Sequence, residues 1–317
     1  MADKSAIEWT DATWNPITGC SIVSPGCTNC YAMKLAGTRL KHIDSRKGLT
    51  RETKAGPVWT GEVRLNRQWL HQPLEWKKPR RIFVCAHGDL FAENVPDEWI
   101  LDVFTVMAAA DHHTYQVLTK RPDRMCEFLS RRDLLNDIYA NWYTFTGKPA
   151  EVYSWPLHNV WCGASAEDQT RYDNRRRWLD ETPAAARFWS LEPLLGPIEM
   201  NIQFVKPDWV IVGGESGHNA RPMHPAWARS IRDQCAAAGV AFFFKQWGEW
   251  MPVKVVDDGD GPFGIGDGAD PLHAYPNVPV YPARNIDGQD MWRVGKKRTG
   301  RLLDGIEHKA MPEGDFS

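Results

Sequence analysis

The sequence predicts an α/β fold: a complete or partial (β/α) barrel of six to seven parallel strands with a C-terminal appendage. Three observations predict it. Short apolar runs rich in β-branched or aromatic residues recur along the chain, helical patterns lie between them, and a polar or charged residue closes each run in turn. No G-x-G-x-x-G follows a strand-like run, so an open dinucleotide-binding sheet lacks its main support.

The first unit runs from IEWTDATW through a cysteine-containing loop into a helix starting near Tyr31. The later strands are IFVCAH (82–87), YQVLTK (115–120), NVWCGAS (159–165), RFWSLE (187–192), WVIVGGE (209–215) and VAFFFKQW (240–247). A helix begins near Pro96, with Asp97 and Glu98 in its first turn, where the helix dipole favours acids. It carries Ile100, Val103, Phe104 and Met107 at helical spacing. Further helices are expected over 122–131, 167–180 and 225–238. Residues 1–250 thus read as the barrel with its cysteine loop. Residues 251–317 read as a Gly/Asp-rich loop, two short extended pieces around a basic turn, and a loose tail packing on the barrel. In the Gly/Asp-rich stretch, Asp258 and Asp260 lack the glycine and terminal glutamate of an EF-hand loop.

Composition narrows the function. The net charge of −2, with 43% hydrophobic and 25% charged residues, reads as a soluble globular protein that does not coat nucleic acid nonspecifically. No apolar run is long enough to cross a bilayer, and the N-terminus lacks the apolar stretch of a secretion signal. The expected location is therefore the cytoplasm, without membrane partners. Seven cysteines in such a compartment are expected as thiols. Lys77 to Arg81, Arg175 to Arg177 and Lys296 to Arg298 are local basic clusters, and the 16 tryptophans offer packing or stacking surface.

A barrel concentrates chemistry where its strands end, so the polar closers form one candidate mouth. They are Asp89, Lys120 and Arg121, Ser165 and Glu167, Glu192, Gly213 to Glu215, and Lys245 with Gln246. Gly213 and Gly214 would let backbone approach a ligand closely. The set weighs more than its members, because a charged residue also ends a buried strand merely by returning to water.

Cys20, Cys27 and Cys30 stand in a CxxxxxxCxxC loop rich in Gly, Pro, Ser and Asn. Three readings remain open on the residues alone. A structural zinc site would need a distant fourth ligand such as His42, Cys85 or His87. A packing role suits free thiols but not such a polar loop. An iron-sulfur cluster held by three thiolates leaves one iron open, which turns the odd ligand number into a mechanism. Cys85, Cys126, Cys162 and Cys235 lie in or beside predicted core elements and read as packing residues.

The strings EWTDATWNPITGCSIVSPGCTNCYA, DLFAE, VLTKRP, SAEDQ, SLEPLLGPI, VIVGGESG and FFFKQWG, in that order, resemble a phage-associated three-Cys-motif family regarded as similar to radical S-adenosylmethionine enzymes. The resemblance covers most of residues 7–250 and resumes at VGKKRTGRLLDG. The wider superfamily has a shorter gap between its first two cysteines, and an aromatic often precedes its last, where this chain has Asn29. The resemblance implies that Cys20, Cys27 and Cys30 ligate a 4Fe-4S cluster whose open iron chelates S-adenosylmethionine. A 5′-deoxyadenosyl radical would then act on a modified thymidine or nucleoside in phage DNA hypermodification, by isomerisation or hydrogen abstraction. It further implies that Asp89, Lys120, Arg121, Ser165, Glu167, Glu192, Gly213, Gly214 and Glu215 contact cofactor or substrate. A reductase or flavodoxin-type electron donor would be a partner, and the location would be the host cytoplasm if the chain is phage-encoded. Two rival functions follow from other readings of the cysteines: a zinc-stabilised nucleic-acid-binding protein without catalysis, and a cluster-carrying electron-transfer partner.

Overall fold

Seven strands assemble in chain order into one all-parallel sheet: β1 (Ala12–Trp14), β2 (Arg81–Val84), β3 (Thr114–Thr119), β4 (Val160–Ser165), β5 (Ala186–Leu191), β6 (Trp209–Gly213) and β7 (Ala241–Gln246). In this computed structural model the described residues are 5, 7–149, 154–202, 205–252 and 281–312. The Gly/Asp-rich stretch therefore lies outside them. Because β1 and β7 are the sheet's two ends, the fold is a partial (β/α) barrel.

The helices are α1 (Tyr31–Gly37), α2 (Asp97–Ala109), α3 (Pro122–Leu129), α4 (Leu134–Thr146), α5 (Gln169–Glu181) and α6 (Pro225–Ala238). Their starts have local causes. Pro122 and Pro225 open α3 and α6, where a missing N–H costs nothing, and Asp168 Oδ1 caps α5 by accepting from Arg171 N at 3.0 Å. Gly147 and Gly239 end α4 and α6 in the left-handed conformation. α4 is not among the helices expected from the sequence. Only Leu134 and Ile138 of that helix are buried, so its apolar stripe is short, and it rests on α2 through Asn141, which donates to Asp102 and Thr105.

Alternation along the strands sorts the core into two faces. Val210 and Val212 of β6, Trp189 and Leu191 of β5, and Cys162 and Ala164 of β4 pack with the helices. Trp209, Ile211, Phe188, Trp161 and Phe243 fill the inner face, joined by Trp9 from the N-terminal segment. The same phase carries Gly163, Ser165, Ser190, Gly213 and Lys245 onto that inner face nearer the strands' C-terminal ends. One end of the half-barrel is thus plugged with aromatics, and the other is lined with small and polar residues.

The C-terminal segment packs on the sheet. Gln289–Arg293 pairs with Tyr281–Ile286 and with Trp250–Pro252, and the basic stretch Lys296–Thr299 forms one helical turn. Beyond it the tail is not loose as far as it is described. Phe244 N donates to His308 O at 3.0 Å, and Trp209 Nε1 to Ala310 O at 2.8 Å.

Candidate functional site

The cysteine loop lies over the C-terminal mouth, held there by residues from several strand ends. Gly19 starts it at φ +97°, and a Cβ there would stand 2.1 Å from Glu62 O, so only glycine fits. Gly19 N donates to His87 O at 3.3 Å, which ties the loop's first residue to the end of β2. Pro25–Cys27 forms a 3-10 turn, and α1 follows directly after Cys30. All three thiols are free; Cys27 is buried and the other two half-buried.

Arg121, after β3, is buried and donates to Asp89 Oδ2 at 3.0 Å, Glu93 Oε1 at 3.0 Å, Ser21 O at 3.0 Å and the Cys20 sulfur at 3.4 Å. Asp89 also accepts from Thr119 Oγ1 and Lys120 N, so both ends of this ion pair are satisfied. Burial, together with the Asp89 charge, pushes the Cys20 thiol up to about 12, while Arg121 acts in the opposite direction.

Glu167, after β4, is fully buried. It accepts from Gly26 N at 3.0 Å and pairs with Arg175 at 3.3 Å. Burial alone would raise this carboxyl. Hydrogen bonds from Ser24 and Gly26, with the charges of Lys120 and Arg175, hold it below its ordinary value. Glu215, after β6, accepts from Asn29 Nδ2 at 2.9 Å and from Arg221 Nη2 at 2.6 Å, and Arg221 Nη2 also donates to Pro25 O at 2.9 Å. Three strand ends therefore grip the loop at Ser21, Gly26 and Asn29.

The remaining closers line the floor beneath. Lys245 Nζ and Glu192 Oε2 pair at 3.1 Å across the ends of β7 and β5. Gly213 leaves room for that carboxylate, since a Cβ there would stand 2.4 Å from Glu192 Oε1. Gly214 has a different reason: its Cβ would meet Trp247 O at 1.9 Å, so the glycine serves close backbone packing. Ser165 is buried, and its carbonyl accepts from Arg175 at 2.8 Å. Asp89, Arg121, Glu167 and Glu215 are thus brought together around the loop, whereas Glu192, Lys245 and Gly213 form the floor.

Residues 4–312 match the family described as Protein of unknown function (DUF5131). The chain belongs to that family. No curated protein and no solved structure matches it.

Among the described residues, no three His, Cys, Asp or Glu side chains are grouped to hold a metal ion. The donor chemistry nevertheless suits a cluster: three unpaired thiols on one loop, with a guanidinium against one of them. Of the distant zinc ligands considered from sequence, His42 is exposed on the surface. Cys85 is buried with its thiol pushed up to about 12 by that burial, and His87 has its Nδ1 taken by Arg46 at 2.9 Å.

Other sequence signals resolve into packing. Arg175, Arg176 and Arg177 each pair with an acid, and Arg80 stacks its guanidinium 4.6 Å from the Trp76 ring centroid. Lys296 to Arg298 stay exposed, on a turn seated beside the rim by Thr299 Oγ1, which donates to Gly248 O at 2.8 Å. Sequence reasoning missed Arg221 and Arg46. Arg221 had one usable signal, its place six residues after Glu215 in the same loop; Arg46 sits in DSRKG, which reads as a solvent-facing basic turn.

Proposed function

We propose that the chain is a radical S-adenosylmethionine-type enzyme in which Cys20, Cys27 and Cys30 hold a 4Fe-4S cluster and leave one iron open to the cofactor. The observation that supports it is the fastening of a three-thiol loop across the C-terminal mouth of a parallel half-barrel by Arg121, Glu167 and Glu215. When bound, such a cluster supplies the electron for reductive cleavage of the sulfonium, and so a radical that takes hydrogen from an unactivated carbon.

The chain's own residues have three tasks in this reading. The thiols give up their protons on ligation, and Arg121 offsets the burial of the resulting charge at Cys20. The strand-end carboxylates orient the loop through Gly26 and Asn29. The Glu192–Lys245 pair on the floor offers a carboxylate and an ammonium to the amine and acid groups of a cofactor or substrate. The aromatic plug of Trp9, Trp161 and Trp209 closes the far end against water.

For substrate we infer a modified thymidine or other nucleoside in DNA hypermodification, undergoing isomerisation or hydrogen abstraction, with a reductase or flavodoxin-type protein as electron donor. The support is the motif resemblance and the exposed basic turn Lys296–Thr299 beside the rim. Anaerobic reconstitution followed by chemical reduction tests the reaction. The expected result is cleavage of S-adenosylmethionine to 5′-deoxyadenosine, lost in Cys27→Ala. A protein that takes up its cluster but leaves the cofactor intact would be an electron carrier instead.

A further inference from the structure

Arg46 is a buried guanidinium. It follows α1 and is 5% exposed. Nη1 donates to Ser45 O at 3.2 Å and Ser45 Oγ at 2.7 Å; Nε and Nη2 both donate to His87 Nδ1, at 3.3 and 2.9 Å. Among the described residues no Asp or Glu pairs with it, and the Arg64 charge opposes its own. A buried charge satisfied only by neutral groups is costly until an anion completes the site.

His87 stands between that charge and the residues flanking the cysteine loop. Its backbone is fixed, the N–H donating to Asn15 Oδ1 at 3.0 Å and the carbonyl accepting from Gly19. Because Nδ1 accepts from Arg46, the ring proton resides on Nε2, and no protein acceptor among the described residues takes it. Burial and the guanidinium behind it hold His87 down to about 4, so at neutral pH it is an uncharged donor. The ring stands edge-on to Tyr31, at 6.2 Å between centroids; Tyr31 follows Cys30 and keeps 53% of its surface exposed. The His87 ring thus stands beside the cysteine loop, next to Tyr31 on its far side and tied through its backbone to Gly19 on its near side.

We propose that His87 Nε2–H, backed by Arg46, is an oxyanion subsite of the mouth that receives a phosphate or carboxylate group of the molecule bound there. The identity of that molecule rests on the reading of the mouth as a reaction site, but the subsite can be tested without any cluster. Calorimetric titration of the full-length, cluster-free chain would use inorganic phosphate, thymidine 5′-monophosphate and methionine as probes. His87→Ala is expected to weaken binding about tenfold or more, whereas His87→Gln, which keeps an N–H donor in place, retains most of it. Arg46→Met is expected to lose affinity as His87→Ala does; should it fail to fold, the two His87 variants decide alone. Loss confined to the two phosphate probes assigns a substrate phosphate, and loss confined to methionine assigns a carboxylate. Absence of binding in the unmodified chain, or equal affinities in a folded His87→Ala chain, would overturn the proposal.

Discussion

A buried carboxylate at the end of a strand can bind a ligand or hold a loop, and Glu215 does the second: both of its oxygens are occupied by Asn29 and Arg221. Removing the guanidinium strands that charge. Arg221→Met is therefore expected to speed hydrogen exchange at the amides of Gly26, Cys27 and Cys30 while leaving β4 and β5 protected. Unchanged loop protection would show that Arg221 is not an anchor. His113 permits a prediction about pH. It is buried against Trp76 and Tyr115, and burial holds its imidazole down to about 4. The unfolded chain takes up that proton near the ordinary value of about 6.5, so below this point the unfolded state binds more protons than the folded one. The His113 contribution thus leaves stability level above about 6.5 and lowers it as pH falls toward about 4. In His113→Gln the denaturant midpoint should fall less across that window, and an unaltered slope would contradict the assignment.

At the scale of elements, the inner face demands small residues where large ones stand opposite. Gly163 of β4 faces Phe188 of β5, and a Cβ there would lie 2.4 Å from the ring. Gly163→Ala is expected to cost about 1–3 kcal/mol in chemical denaturation, and a neutral result would mean the ring moves aside freely. The parallel strands were legible because runs such as WVIVG are buried on both faces and read as continuously apolar. The helix starting at Asp97 was legible from its first-turn acids, and those starting at Pro122 and Pro225 from the helical patterns lying between strand-like runs. α4 was not, since a helix that buries two side chains has little periodicity to read. The site was legible in the same partial way. Residues closing strands announced themselves by position, whereas the Arg46 contact with His87 and the Arg221 contact with Pro25 span long stretches of chain, which no spacing encodes.

For the whole molecule, an unclosed barrel leaves free strand edges, which invite pairing with other chains. The tail covers one of them: Lys309 bridges antiparallel to Phe243 on β7, and Met311 reaches Arg81 and packs with the aromatic inner face. Deleting residues 306–317 is expected to lower the melting temperature and promote self-association, measured by light scattering; a monomer of unchanged stability would show the cover to be dispensable. At the opposite end of the strands, the same open barrel presents its thiol loop at a mouth of anchored charges, and the functional reading depends on what those thiols hold. The most direct test is iron and acid-labile sulfide analysis with Mössbauer spectroscopy on the anaerobically reconstituted full chain. About four irons and four sulfides per chain, with one iron site perturbed by S-adenosylmethionine and the cluster lost on replacing Cys20, Cys27 or Cys30, is the predicted result. A colourless chain that retains one tightly bound zinc ion, or a cluster indifferent to the cofactor, would contradict it.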